Sequence, residues 1–125
     1  MDAIKKILVV DDEPTVLKSV SLILESKGCS VEQSRSGLEA ITLLENDPDL
    51  FDCIVLDYSM PKMNGLTALQ KIRELGTSTP VILCSGLSFA HDESEKHKHW
   101  PQEILTKPFQ LNQLIESISR ACNPK

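Results

Sequence analysis

Short apolar runs alternate with longer segments of helical period along this chain. Ile7-Leu8-Val9-Val10, Cys53-Ile54-Val55-Leu56 and Val81-Ile82-Leu83-Cys84 are apolar throughout and too short for ordinary helices. That is the pattern of strands covered on both faces. They predict strands over Lys6 to Val10, Cys53 to Leu56 and Val81 to Cys84, with two more at Ser30 to Ser34 and Glu103 to Thr106. Ser30 to Ser34 is polar and alternating, which suits a sheet edge.

The intervening segments read as helices. Pro14 opens the first, whose Val16, Val20, Ile23 and Leu24 make one apolar stripe before Gly28 ends it. Ser36 with Glu39 three residues on forms a capping box for the second, which carries Leu38, Ile41 and Leu44 and stops at Asp47-Pro48-Asp49. Asn64-Gly65 introduces the third, with Leu66, Leu69, Ile72 and Leu75 at helical spacing and Gly76 as its stop. The last runs from Gln110 and places Leu111, Leu114, Ile115 and Ile118 inward. Between them, Phe89 to Trp100 is charged nearly throughout, with few apolar positions to hold it on a sheet, so a short or mobile fourth helix is expected there.

Strand and helix in alternation specify an α/β fold built of βαβ units. The 125 residues suffice for one domain, spanning 1–125, with a continuous core that needs no disulfide or structural metal. Composition narrows the function. Lys and Arg total 13 against 18 Asp and Glu, a formal charge of -5, and no basic stripe appears, which disfavours direct nucleic-acid binding. Cys29, Cys53, Cys84 and Cys122 are spread singly, without a C-x-x-C pair or zinc-ligand spacing, and read as reduced core residues of a cytosolic protein. His91, His97 and His99 belong to the solvated polar segment, because no carboxylate or cysteine completes a ligand set at convincing spacing. No secretory signal opens the chain and no apolar stretch approaches the ~20 residues of a membrane span, so a soluble, cytoplasmic protein is expected.

The candidate chemistry lies at strand ends. Asp57 follows Cys53-Ile54-Val55-Leu56, Asp11-Asp12 follow Ile7-Leu8-Val9-Val10, and Lys107 follows Ile104-Leu105-Thr106. An Asp at one strand end most simply caps the next helix. Three acids and a lysine at the ends of strands that run parallel in one sheet share an edge, where ligands of open α/β sheets bind.

With Asp11-Asp12, Asp57 followed by Met60-Pro61 and Gly65, Ser85-Gly86, and Lys107-Pro108-Phe109 in this order, the whole chain resembles the receiver domain of two-component response regulators. The resemblance implies a flavodoxin-like, doubly wound (βα)5 three-layer sandwich with a five-stranded parallel sheet of order 2-1-3-4-5. It implies that Asp57 is the phosphoacceptor, taking a phosphoryl group from a phosphohistidine on a sensor histidine kinase or a histidine phosphotransfer protein. Mg2+ or Mn2+ would be held by Asp12, Asp57 and the backbone carbonyl of Ser59, with Asp11 acting through water. Lys107, before a commonly cis Pro108, and Ser85 would each meet a phosphoryl oxygen. Ser59 and Leu87 would border the attacking water of dephosphorylation. The implied role is a signalling receiver, not a small-molecule enzyme, that switches contacts with a downstream protein through the face of the fourth and fifth helices.

One position departs from the family. Its switch aromatic, three residues before the lysine, is Ile104 here, and a short β-branched side chain cannot reproduce the swing of a ring. Signalling through rearrangement of Phe89 to Trp100 is expected instead. Beside the effector switch stands a receiver that serves as a docking module or as a phosphate shuttle within a phosphorelay, and two readings from other classes compete. Asp11, Glu13 and Thr15 echo a haloacid-dehalogenase-like phosphatase, but glutamate replaces its second aspartate and no later acidic pair is present. A flavodoxin-like flavin module is opposed by Asp11-Asp12-Glu13, which would repel a phosphate where that module binds one.

Overall fold

The computed structural model describes residues 4–86 and 101–122. Five strands, β1 (Lys6–Val10), β2 (Ser30–Ser34), β3 (Cys53–Asp57), β4 (Val81–Ser85) and β5 (Glu103–Thr106), form one sheet of order β2-β1-β3-β4-β5. Every neighbouring pair is parallel. The described helices are α1 (Pro14–Ser26), α2 (Gly37–Asn46), α3 (Gly65–Glu74) and α4 (Leu111–Cys122). The doubly wound α/β fold and its strand order are those the resemblance implies. Among the described residues no helix is long and apolar enough to cross a membrane.

Strand side chains alternate between two cores, which is why the central strands are apolar at every position. Ile7, Val9, Cys53, Val55, Ile82, Cys84 and Leu105 face α1 and α4, where Leu17, Val20, Leu24, Leu114 and Ile118 close the first core. Leu8, Val10, Ile54, Leu56, Val81 and Leu83 face the other way, onto Ala40, Ile41, Leu44, Ala68, Leu69 and Ile72 of α2 and α3. The polar β2 lies at the edge, as its alternation predicts.

The helix signals hold with local corrections. Ser36 Oγ accepts from the Glu39 amide at 3.1 Å, but Glu39 reaches back to the Arg35 amide at 3.0 Å rather than to that of Ser36. Gly28 and Gly76 follow α1 and α3 with φ of 94° and 93°. The buried stripe of α1 is Leu17, Val20, Ser21 and Leu24, with Val16 and Ile23 only half-buried. In α2 the sheet-facing residues are Gly37, Ala40, Ile41 and Leu44, so Leu38, one residue out of that 3-4-7 spacing, is 65% exposed. Leu111, expected inward, is 40% exposed, because it starts α4 one turn before Leu114, the first residue of that helix to enter the core. It borders a groove with Ile23, Lys27 and Ile115. The expected helix at Phe89 to Trp100, with His91, His97 and His99, lies outside the described residues.

Candidate functional site

The carboxyl ends of β1, β3, β4 and β5 converge on one edge, and backbone pairing continues past the strands to fix the residues just beyond them. β3 and β4 each run one residue further than their apolar runs, so Asp57 and Ser85 are themselves strand residues. The Asp11 amide donates to the Ser34 carbonyl at 3.1 Å, that of Tyr58 to Cys84 at 2.8 Å, and that of Lys107 to Ser85 at 2.7 Å. Asp11, Asp57, Ser85 and Lys107 therefore project from backbone held in the ladder or its direct continuation. The Lys107-Pro108 peptide is cis.

Asp11, Asp12 and Asp57 each offer a carboxylate oxygen within 4.8 Å of the others. Lys107 Nζ donates to Asp57 Oδ1 at 2.7 Å and lies 3.6 Å from Asp11 Oδ2. The other oxygen of Asp11 accepts from the Glu13 amide at 3.0 Å. Asp57 is 3% and Asp11 4% exposed, whereas Asp12 is half-buried.

Burial sets the electrostatics. It pushes the Asp57 carboxyl above its ordinary value, against the hydrogen bond and charge of Lys107 and with the help of Asp12 and Glu13. Burial likewise raises Asp11, opposed by the Glu13 amide and assisted by Asp57. Burial alone would lower Lys107, but the hydrogen bond and charge of Asp57, with Asp11 behind it, overturn that and hold the ammonium above its usual range. One ammonium does not balance three carboxylates. The donor set is hard oxygen throughout, which fits a small divalent cation such as Mg2+ or Mn2+ rather than a soft metal.

Asp11, Asp12, Asp57 and Lys107 are thus brought together as the sequence suggests. Ser85, 1% exposed, stands on the same edge at the end of β4, and Ser59 is exposed in the turn after β3. Ile104 is half-buried and packs against the α2 and α3 core. One feature goes unseen in the sequence. Gly65 is more than a helix start, because its amide donates to the Tyr58 carbonyl at 2.8 Å and a Cβ there would stand 2.6 Å from the Asp57 carbonyl oxygen. The Asn64-Gly65 pair signals a turn but not that approach.

A parallel doubly wound sheet with an acid cluster and a lysine at its carboxyl edge places the candidate site where ligands of such sheets bind. The profile of the response regulator receiver domain matches residues 7–119, and the chain belongs to this family. It is 30% identical over 113 residues to the transcriptional regulatory protein DltR of Streptococcus agalactiae, a match covering 90% of this chain and 50% of DltR. The chain therefore spans about half the length of the first curated relatives it matches. It is 28% identical over 120 residues to the chemotaxis protein CheY of Bacillus subtilis, covering 94% of this chain and 98% of CheY. Among solved structures, the receiver domain of the sensor histidine kinase PA1611 from Pseudomonas aeruginosa, with a magnesium ion coordinated in its active-site cleft, superposes with a TM-score of 0.79. That alignment has 26% identity and covers 94% of this chain and 97% of that domain.

Proposed function

We propose that residues 1–125 act as one phosphoacceptor receiver domain in a two-component phosphorelay, with Asp57 as the acceptor. The observation that carries this reading is the 2.7 Å contact of Lys107 Nζ with Asp57 Oδ1 inside the cluster of three acids. An Asp57 carboxylate oxygen attacks the phosphorus of a phosphohistidine in line, and the phosphorus–nitrogen bond breaks with its electron pair returning to the imidazole. Lys107, kept protonated by its acidic neighbours, turns its charge from the carboxylate to a phosphoryl oxygen. The Ser85 hydroxyl donates to a second.

Asp12, Asp57 and the Ser59 carbonyl would hold Mg2+ or Mn2+ directly, and Asp11 through water, in line with the magnesium of the PA1611 domain. When bound, the cation offsets the negative oxygens that the incoming group brings to an already acidic cleft. The donor is a sensor histidine kinase or histidine phosphotransfer protein. The phosphorylated form changes contacts with a downstream protein through the face shared by the expected helix of Phe89 to Trp100 and the last helix, α4. Ser59 and Leu87 tune the lifetime of the phosphoryl group. The setting is the cytoplasm, and the role is signalling rather than turnover of a small molecule.

Mass spectrometry after acetyl phosphate and Mg2+ tests the assignment. A hydroxylamine-labile gain of one phosphoryl group on wild type, absent from Asp57→Asn, is expected. Labelling that persists in Asp57→Asn removes Asp57 from the role.

A further inference from the structure

The sheet ends at β2, and the outer edge of that strand is open. The Ser30 amide donates to the Lys5 carbonyl at 2.7 Å and the Asp11 amide to the Ser34 carbonyl at 3.1 Å, with Glu32 in register with Leu8 between them. Bonding residues alternate along a parallel ladder, so Ser30, Glu32 and Ser34 turn their backbone groups to β1. Val31 and Gln33 turn theirs outward, where no strand among the described residues pairs with them. Side chains alternate as well. Val31 packs on the α1 side, and Gln33 Nε2 donates to Ser21 Oγ of α1 at 2.8 Å, which puts Glu32 and Ser34 on the α2 side.

On that side a groove of about 620 Å³ runs between β2 and α2. Leu38 and the half-buried Leu43 give it apolar lining, and Leu38 is the most exposed large apolar side chain among the described residues. Glu32 and Glu39 bring two carboxylates, with no lysine or arginine among the described lining residues. Ser34 also lines the groove. It is fully buried, and its hydroxyl has no hydrogen-bond partner among the described residues, a polar position that the fold itself leaves unmatched.

We propose that the β2 edge and this groove dock an extended basic segment of a partner protein, which adds as a further strand beside β2 and lays a Lys or Arg side chain along the groove. The outward amides and carbonyls of Val31 and Gln33 hold the main chain of the segment, and the groove selects its alternate side chains. A long cationic side chain suits the lining at both ends, since its aliphatic stem covers Leu38 and Leu43 while its head meets Glu32 and Glu39. Charge decides against a second copy of this chain, because edge-to-edge pairing of β2 with itself would bring the same carboxylates against one another. An acid on an edge strand also discourages aggregation, but that role needs neither a groove nor a leucine in solvent. β2 lies at the opposite edge of the sheet from β5, which leads to Lys107, so this surface does not depend on the phosphoacceptor reading.

Amide NMR of the full chain in buffer containing Mg2+ tests the proposal, with an end-blocked seven-residue peptide alternating lysine and valine as the probe. Saturable shifts at Val31, Gln33, Leu38 and Glu39 are expected, with half-saturation below ~1 mM peptide. Affinity should fall at least ~3-fold when Glu32→Gln and Glu39→Gln are combined. A glutamine at position 39 can still accept from the Arg35 amide, so the start of α2 is preserved. The same peptide methylated on every backbone nitrogen keeps its charge but cannot donate to the edge, and should not shift Val31 or Gln33. Equal binding of the methylated peptide, no saturable shift, or shifts confined to Asp11, Asp12 and Asp57 overturns the proposal. Concentration-dependent shifts at Val31 and Gln33 without peptide would also overturn it, by making a second copy the occupant. The two peptides compared on wild type decide alone should the double variant fail to fold.

Discussion

Gly65→Ala probes how the loop after the acceptor strand is held, and Gly37→Ala supplies its control. The two glycines occupy the same helical position, directly after the caps Asn64 and Ser36, and neither has a positive φ, so any difference between the variants is steric. A Cβ at Gly65 would lie 2.6 Å from the Asp57 carbonyl oxygen, 2.8 Å from Tyr58 Cα and 2.8 Å from Leu83 Cδ1. Reaching ordinary contact at 3.4 Å demands a shift of about 0.8 Å. The obstructing backbone is tied down, since the Tyr58 amide is bonded to Cys84 and its carbonyl to the Gly65 amide, both at 2.8 Å.

Overpacking of this kind costs about 1–3 kcal/mol, and fixed backbone puts Gly65 near the upper end. The gain in helix propensity returns well under ~1 kcal/mol, leaving a net loss of about 2–3 kcal/mol. Unfolding entropy for a chain of this length is about 0.26 kcal/mol/K, so Tm should fall by roughly 8–11 °C. At Gly37 the nearest obstacles are Met63 Sδ at 2.9 Å and Ala68 Cβ at 3.1 Å. A thioether can swing aside, so Gly37→Ala should stay within about 1 kcal/mol of wild type. Thermal and urea unfolding by circular dichroism measures both variants, and acetyl phosphate labelling should be slower in Gly65→Ala because the Asp57 carbonyl must move. Equal losses in the two variants would refute the argument.

Asp57→Asn should raise Tm at neutral pH. The folded-state values of Asp57 and Asp11 are raised by burial, so their charged forms cost stability above those values and the cost is relieved as pH falls through them toward the ordinary 3.8. The Tm advantage of Asp57→Asn over wild type should therefore shrink on acidification, and an advantage that grows instead contradicts the assigned shift. Added Mg2+ should stabilise wild type by about 1.4 kcal/mol at ten times its Kd and leave Asp12→Asn nearly unmoved, as followed by Tm; equal shifts in both would place the cation elsewhere. Gln102→Leu should cost about 1–3 kcal/mol, since Gln102 Oε1 accepts from the Val81 amide at 2.7 Å and from Arg73 at 3.0 Å, and urea unfolding would show it.

The sequence alone determined the features that depend on near neighbours. Apolar runs marked the strands covered on both faces, Ser36, Asn64 and Pro14 marked helix starts, and each candidate acid was seen at a strand end, because periodicity and capping are written within a few residues. Strand order came from likeness to a family rather than from pattern. Tertiary structure decided which face of each helix met the sheet, choosing Leu17 over Val16 and leaving Leu38 in solvent. It also decided the site's chemistry. The Lys107 contact to Asp57 spans 50 positions, and the raised carboxyls result from desolvation by surrounding atoms drawn from several strands. Distances between remote segments, and the dielectric around them, exist only once the whole chain has packed.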